Sequence, residues 1–185
     1  MSKQKDVSSY RRFLEGDEHA LEELIEEYGD ALVRFAYCLV KDSFVAEDIA
    51  QDAFATLIFK RRHFSSCDSF QAYLYKIVRN KCIDYLRSKK RTVPLGDLEN
   101  VLVSATDAEK DVLAHERNER VYACLQRLPA QYQDVLYLCY FQDCRAEAVS
   151  KIIRKTKKQT YNLLARAKSA LKELLEGEGI VYENE

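Results

Sequence analysis

Only five glycines and two prolines punctuate this chain of 185 residues. A sequence with so few breakers cannot supply the turns of a many-stranded sheet, and it reads instead as long helices. The hydrophobic pattern agrees. Residues 10–40 read as helices, with Ala20, Leu21, Leu24, Ile25 and Tyr28 at helical spacing and Gly29 marking a turn. In FVAEDIAQDAFATLIFK, residues 44–60, one face carries Ala46, Ile49, Ala50, Ala53, Leu57 and Ile58; the other carries Glu47, Asp48, Gln51 and Asp52. Residues 69–90 continue as helix. Tyr73, Leu74, Ile77, Ile83 and Leu86 are expected inside, and Lys76, Arg79, Lys81, Arg87, Lys89 and Lys90 outside.

The periodicity then fails. TVPLGDLENVLVSATD, residues 92–107, contains Pro94 and Gly96 and reads as a linker. A second helical region runs from near Ala108 to about Gly177, with Pro129 at a helix start. The expected fold class is therefore all-α: two small helical domains at 1–91 and 108–185, joined by a linker at 92–107.

A formal net charge of −1 hides strong sorting. Residues 1–60 carry 7 basic and 13 acidic groups, and residues 61–92 carry 9 basic and 2 acidic. Residues 93–150 carry 5 basic and 10 acidic, residues 151–172 carry 8 basic and none acidic, and residues 173–185 carry 5 acidic and none basic. Single-sign blocks often form a solvated face. Two basic blocks on helices, interleaved with uncharged hydrogen-bonding residues, suit two contacts with a polyanion.

The second basic block has local grammar. Val149, Ile152 and Ile153 form one short apolar stripe. Thr160, Leu163, Leu164, Ala167, Leu171, Leu174 and Leu175 form another. Between them, Thr156 followed by Gln159 fits a capping box, so a second helix starts at Thr156. Two short helices joined in this way read as a helix-turn-helix, which ends the second domain. Its second helix would present Lys157, Lys158, Gln159, Tyr161 and Asn162 to base edges, and Arg166 and Lys168 to phosphate. The bland alternative is a solvated basic helix closing a bundle.

Other chemistries find little support. The six cysteines form no CxxC pair and lie mostly in apolar helical patterns, as small buried thiols do. His19, His63 and His115 fall in separate segments, and there is no nucleophile motif, glycine-rich phosphate loop or metal spacing. Neither a catalytic site nor a cofactor is expected. MSKQKDVSSYRRFLEG lacks the apolar stretch of a signal peptide, and the run Phe35 to Val40 is too short for a bilayer, so the expected location is the cytoplasm.

Four stretches, in order and at this spacing, resemble a bacterial sigma factor of the sigma-70 family, extracytoplasmic-function group. AEDIAQDAF at 46–54 is similar to the helix with which that family grips RNA polymerase. FQAYLYKIVRNKCIDYLRSKKR at 70–91 is similar to its −10 promoter helix. LPAQYQDVLYLCYFQDCRAEAVSKII at 128–153 and TKKQTYNLLARAKSAL at 156–171 are similar to its −35 domain.

The resemblance implies roles. Asp48, Gln51 and Asp52 would dock on the clamp helices of the polymerase β′ subunit, and the second domain on the β flap. Tyr73, Lys76, Arg79, Asn80 and Arg87 would meet the −10 element, with HFSSCDSF at 63–70 holding a flipped base. Lys157, Lys158, Gln159, Tyr161, Asn162 and Arg166 would meet the −35 element. An anti-sigma partner is also implied, and self-masking of the free chain is an expectation of its mixed charge. The chain departs from the family in lacking tryptophan, with Tyr73 where one is frequent, and in carrying Arg154 where glycine is usual. Two rival readings remain: a helix-turn-helix regulator that binds duplex DNA without joining polymerase, and a helical adaptor that binds only proteins.

Overall fold

In a computed structural model of the chain, residues 3–64, 67–92 and 112–179 are described, and they fold as helices in two lobes. The N-terminal lobe holds α1 (Lys3–Leu14), α2 (His19–Val40), α3 (Ser43–Lys60) and α4 (Cys67–Thr92). The C-terminal lobe holds α5 (Val112–Arg127), α6 (Ala130–Leu136), a π-helical turn at Tyr137–Phe141, α7 (Ala146–Ile153) and α8 (Lys157–Gly177). The expected linker at 92–107 and the expected start at Ala108 lie, beyond Thr92, outside the described residues.

Helix α3 starts where the Asp42 side chain accepts a hydrogen bond from the Val45 amide at 3.2 Å. Its inner face, Ala46, Ile49, Ala50, Ala53, Phe54 and Leu57, is buried against α2 and α4. Tyr10 on α1 gathers Phe13, Phe64 and Phe70 around it, with ring centroids 6.1, 5.4 and 5.1 Å away. This aromatic group ties α1 to the start of α4.

Two expectations are corrected. Gly29 marks no turn, because α2 passes through it without a break. Leu24, Tyr28, Leu32 and Phe35 bury a continuous stripe on both sides of it, and that burial outweighs the roughly 1 kcal/mol cost of a mid-helix glycine. On α4, the fully buried positions are Phe70, Leu74, Tyr75, Val78 and Cys82, whereas Tyr73, Ile77, Ile83 and Leu86 are half-buried. The inner stripe is rotated toward Arg79, which therefore faces inward.

The cause of that rotation is the second lobe. Helix α4 packs on α7, α2 packs on α6, and one hydrophobic core runs through both lobes. Tyr137 reaches across to place its ring 5.3 Å from Phe35, and its hydroxyl donates to the Ala31 carbonyl at 3.2 Å. Cys38, Cys82, Cys124 and Cys144 are buried thiols outside any disulfide, and Cys139 is half-buried. Burial pushes the Cys38 thiol up to about 11 and the Cys82 thiol to about 12, which leaves both unreactive near neutral pH.

The glycine that bends nothing and the arginine that stands in a glycine's place give opposite tests of backbone cost. A Cβ at Gly29 would meet only Ile25 Cγ2, at 4.0 Å, so Gly29→Ala is expected to stabilise the chain by about 0.5–1 kcal/mol in urea unfolding. Arg154 ends α7 in the left-handed region, at φ 56° and ψ 46°. Arg154→Gly should therefore also stabilise, by about 0.5–1 kcal/mol after the entropy of the added glycine is subtracted.

Candidate nucleic-acid and protein interfaces

The helix-turn-helix forms as its sequence predicts. Val149, Ile152 and Ile153 are buried on α7, and Arg154 turns the chain. Thr156 then caps α8 reciprocally: its Oγ1 accepts from the Gln159 amide at 3.2 Å, and its own amide donates to Gln159 Oε1 at 3.0 Å. Thr160 and Ala167 anchor the helix inside, with Leu163 and Leu164 half-buried beside them. Lys157, Lys158, Gln159, Tyr161, Asn162 and Arg166 are all exposed.

These six residues do not contribute alike. Lys158, Asn162 and Arg166 recur every four residues and form one line along the helix. Lys157 and Tyr161 form the neighbouring line. Gln159 is tied to the cap through its carbonyl oxygen, which leaves its NH₂ free but removes the paired geometry that reads adenine. Lys157 lies 3.1 Å from Glu147 on α7, a solvent-exposed and therefore weak pair. Lys168 sits 5.0 Å over the Tyr140 ring.

On α3, Asp48, Gln51 and Asp52 are exposed and lie together on the outer face. Asp52 also reaches Lys81 of α4 at 2.8 Å. The face is acidic and uncovered.

The expected −10 residues are divided. Tyr73, Lys76 and Asn80 are half-buried and Arg87 is exposed. Arg62 lies 5.2 Å over the Tyr73 ring, so a guanidinium and a phenol already form a small stacking surface there. Sequence reasoning missed Arg62, although the run Lys60-Arg61-Arg62 is visible in the chain. Within HFSSCDSF, Phe64 is half-buried and Phe70 buried; Ser65 and Ser66 lie outside the described residues.

Arg79 is the exception. Its Nε donates to Asp134 Oδ2 on α6 at 2.8 Å, with side-chain exposures of only 14% and 5%. Around this pair, Gln71 Nε2 donates to the Gln142 carbonyl at 3.1 Å, the Tyr75 hydroxyl donates to Gln142 Oε1, and Lys41 Nζ donates to Gln133 Oε1 at 3.4 Å. Desolvation holds the Asp134 carboxyl above its ordinary range despite the opposing pull of Arg79, and Asp134 Oδ1 is buried without a hydrogen bond. The two lobes thus meet across a polar seam laid over α4.

Among the described residues, no cluster of His, Cys, Asp and Glu could hold a metal, and no helix is long and apolar enough to cross a membrane.

The geometry describes a class: a small two-lobed helical protein with a capped helix-turn-helix, a second basic helix and an exposed acidic face. Family models agree lobe by lobe. Residues 24–92 match sigma-70 region 2, and residues 118–171 match sigma-70 region 4. The chain belongs to the sigma-70 family of RNA polymerase sigma factors, in the extracytoplasmic-function group. Among its relatives, the ECF RNA polymerase sigma factor SigM of Bacillus subtilis is 27% identical over 158 residues, covering 83% of this chain and 94% of that protein. The fold is shared with CnrH in its complex with the cytosolic domain of CnrY, at TM-score 0.68 and 20% identity over 93% of this chain and 97% of that one. It is shared equally with the sigma factor RpoE of Bartonella quintana, in complex with the anti-sigma factor NepR, at TM-score 0.69 and 21% identity over 84% of this chain and 96% of that one.

The seam gives a thermodynamic test. Asp134→Ala leaves a buried guanidinium unpaired and should cost about 3 kcal/mol or more in urea unfolding. Replacing both partners, as in Arg79→Met with Asp134→Leu, should recover most of that loss, because the pair's own desolvation cost disappears with it.

Proposed function

We propose that this sigma factor binds core RNA polymerase, carries it to promoters through separate −35 and −10 contacts, and helps open the duplex. The observation that carries the assignment of roles is the segregation of faces: an exposed acidic stripe on α3, and exposed basic residues on α4 and α8. In this reading, residues 1–91 bind polymerase and the −10 element, 92–107 link, and 108–185 bind the −35 element.

Asp48, Gln51 and Asp52 dock on the β′ clamp helices, and the second lobe on the β flap. Lys158, Asn162 and Arg166 read or grip the −35 duplex in the major groove, with Lys157 and Tyr161 beside them and Gln159 mainly a cap. Tyr73, Lys76, Asn80 and Arg87 receive the −10 strand on a surface that Arg62 extends. Arg79 joins them only when the lobes part, exchanging the Asp134 carboxylate for phosphate. The protein works in the cytoplasm, has no catalytic site of its own, and is a target for an anti-sigma factor. That last role is supported by its structural likeness to two sigma factors solved with their partners.

Purified chain mixed with core polymerase should co-elute and give run-off transcripts from particular promoters in a library. Failure to bind core, with retained duplex binding, would favour a helix-turn-helix regulator acting without polymerase. Arg166→Ala should weaken −35 duplex binding several-fold and lower the slope of log K against log salt by about one. Asp134→Ala, assayed below its melting temperature, should raise affinity for a −10 single strand several-fold and leave −35 duplex affinity unchanged.

A further inference from the structure

Helix α3 carries large apolar side chains beyond its buried face. Its inner face is sealed in the N-terminal lobe, yet its outer face carries the two most exposed large hydrophobic residues of the described chain, Phe44 at 79% and Phe59 at 89%. Isolated surface hydrophobics are common and need no explanation. These two are not isolated from one another in the geometry of the helix. At 100° per residue, Phe44, Asp48, Gln51, Ala55 and Phe59 fall within an arc of about 80°, and the two rings lie about 22 Å apart along the axis. Neither ring belongs to the core or to the half-buried residues packed on it.

The stripe therefore reads as aromatic, acidic, polar, small, aromatic. The Asp48 carboxylate within it favours a basic partner, and a rigid ring at each end favours an apolar recess. We propose that Phe44 and Phe59 are the end anchors of the polymerase-binding face, and that its occupant is a basic helical surface of core polymerase with two apolar recesses about 22 Å apart. This rests on the polymerase-binding role given above to Asp48, Gln51 and Asp52, and it assigns that face the residues that hold rather than attract. Aromatic side chains bury large areas at low entropic cost and dominate interface affinity. Charged residues at a rim act mainly on the rate of encounter.

The division of labour is measurable with immobilised core polymerase and the full chain. Phe44→Ala and Phe59→Ala should each raise Kd about tenfold or more, through faster dissociation and with the salt dependence unchanged. Asp48→Asn should instead slow association and flatten the salt dependence. Both phenylalanine variants should melt at the wild-type temperature and bind −35 duplex as wild type does, because neither ring supports the core. If both bind core with wild-type kinetics while Asp48→Asn is weakened, the anchors are refuted and the polymerase face stands. If the wild-type chain does not bind core at all, the functional reading itself falls and takes the anchors with it. If the double phenylalanine variant keeps full affinity for core but loses a concentration-dependent self-association in sedimentation, the face belongs to a second copy and the proposal is overturned.

Discussion

Arg79 and Asp134 lie 2.8 Å apart in a place that excludes most water. Much of the molecule is arranged around that fact. A buried ion pair contributes little net stability, because desolvating both charges offsets most of their attraction. It is strict about position, however, and an unpaired charge there is far costlier than the pair. Gln71 and Tyr75 of α4 donate to Gln142 of the second lobe, and the Phe35 and Tyr137 rings meet at 5.3 Å across the lobes. The lobes are held by a seam that is specific without being dry throughout.

The same seam explains why the two basic faces differ in exposure. Lys157, Lys158, Tyr161, Asn162 and Arg166 on α8 are exposed. The α4 face turns partly toward α7, and its most central cation is already neutralised. In the closed molecule one basic surface is ready for a polyanion and the other is engaged internally. The acidic stripe on α3 lies on a third surface that neither lobe covers.

Local features were legible in the sequence wherever a short-range rule decided them. The capping box at Thr156 and Gln159 formed as its spacing requires, because both hydrogen bonds close within one turn. The buried positions of α3 and α7 followed helical periodicity. Arg154 took the left-handed turn usually given to glycine, because two apolar helix faces on either side must both reach the core. Gly29 misled because a long buried stripe on α2 overrode a local propensity. Gln159 was legible as a cap and as a base reader, and geometry lets one use of its carbonyl oxygen limit the other.

The sequence by itself determined the helices, their order, the helix-turn-helix, the segregation of charge and, through the resemblance it carries, the family. All of these depend on neighbours a few residues apart or on blocks of composition. Only the tertiary structure decided that Arg79 faces Asp134, that Tyr75 rather than Tyr73 is sealed in the core, and that Phe44 and Phe59 share one uncovered stripe with Asp48. The first two are contacts between residues more than fifty positions apart, set by how one lobe rotates the helix of the other. The third required knowing that nothing packs on the outer face of α3, because helical spacing assigns residues to a face but does not say what covers it.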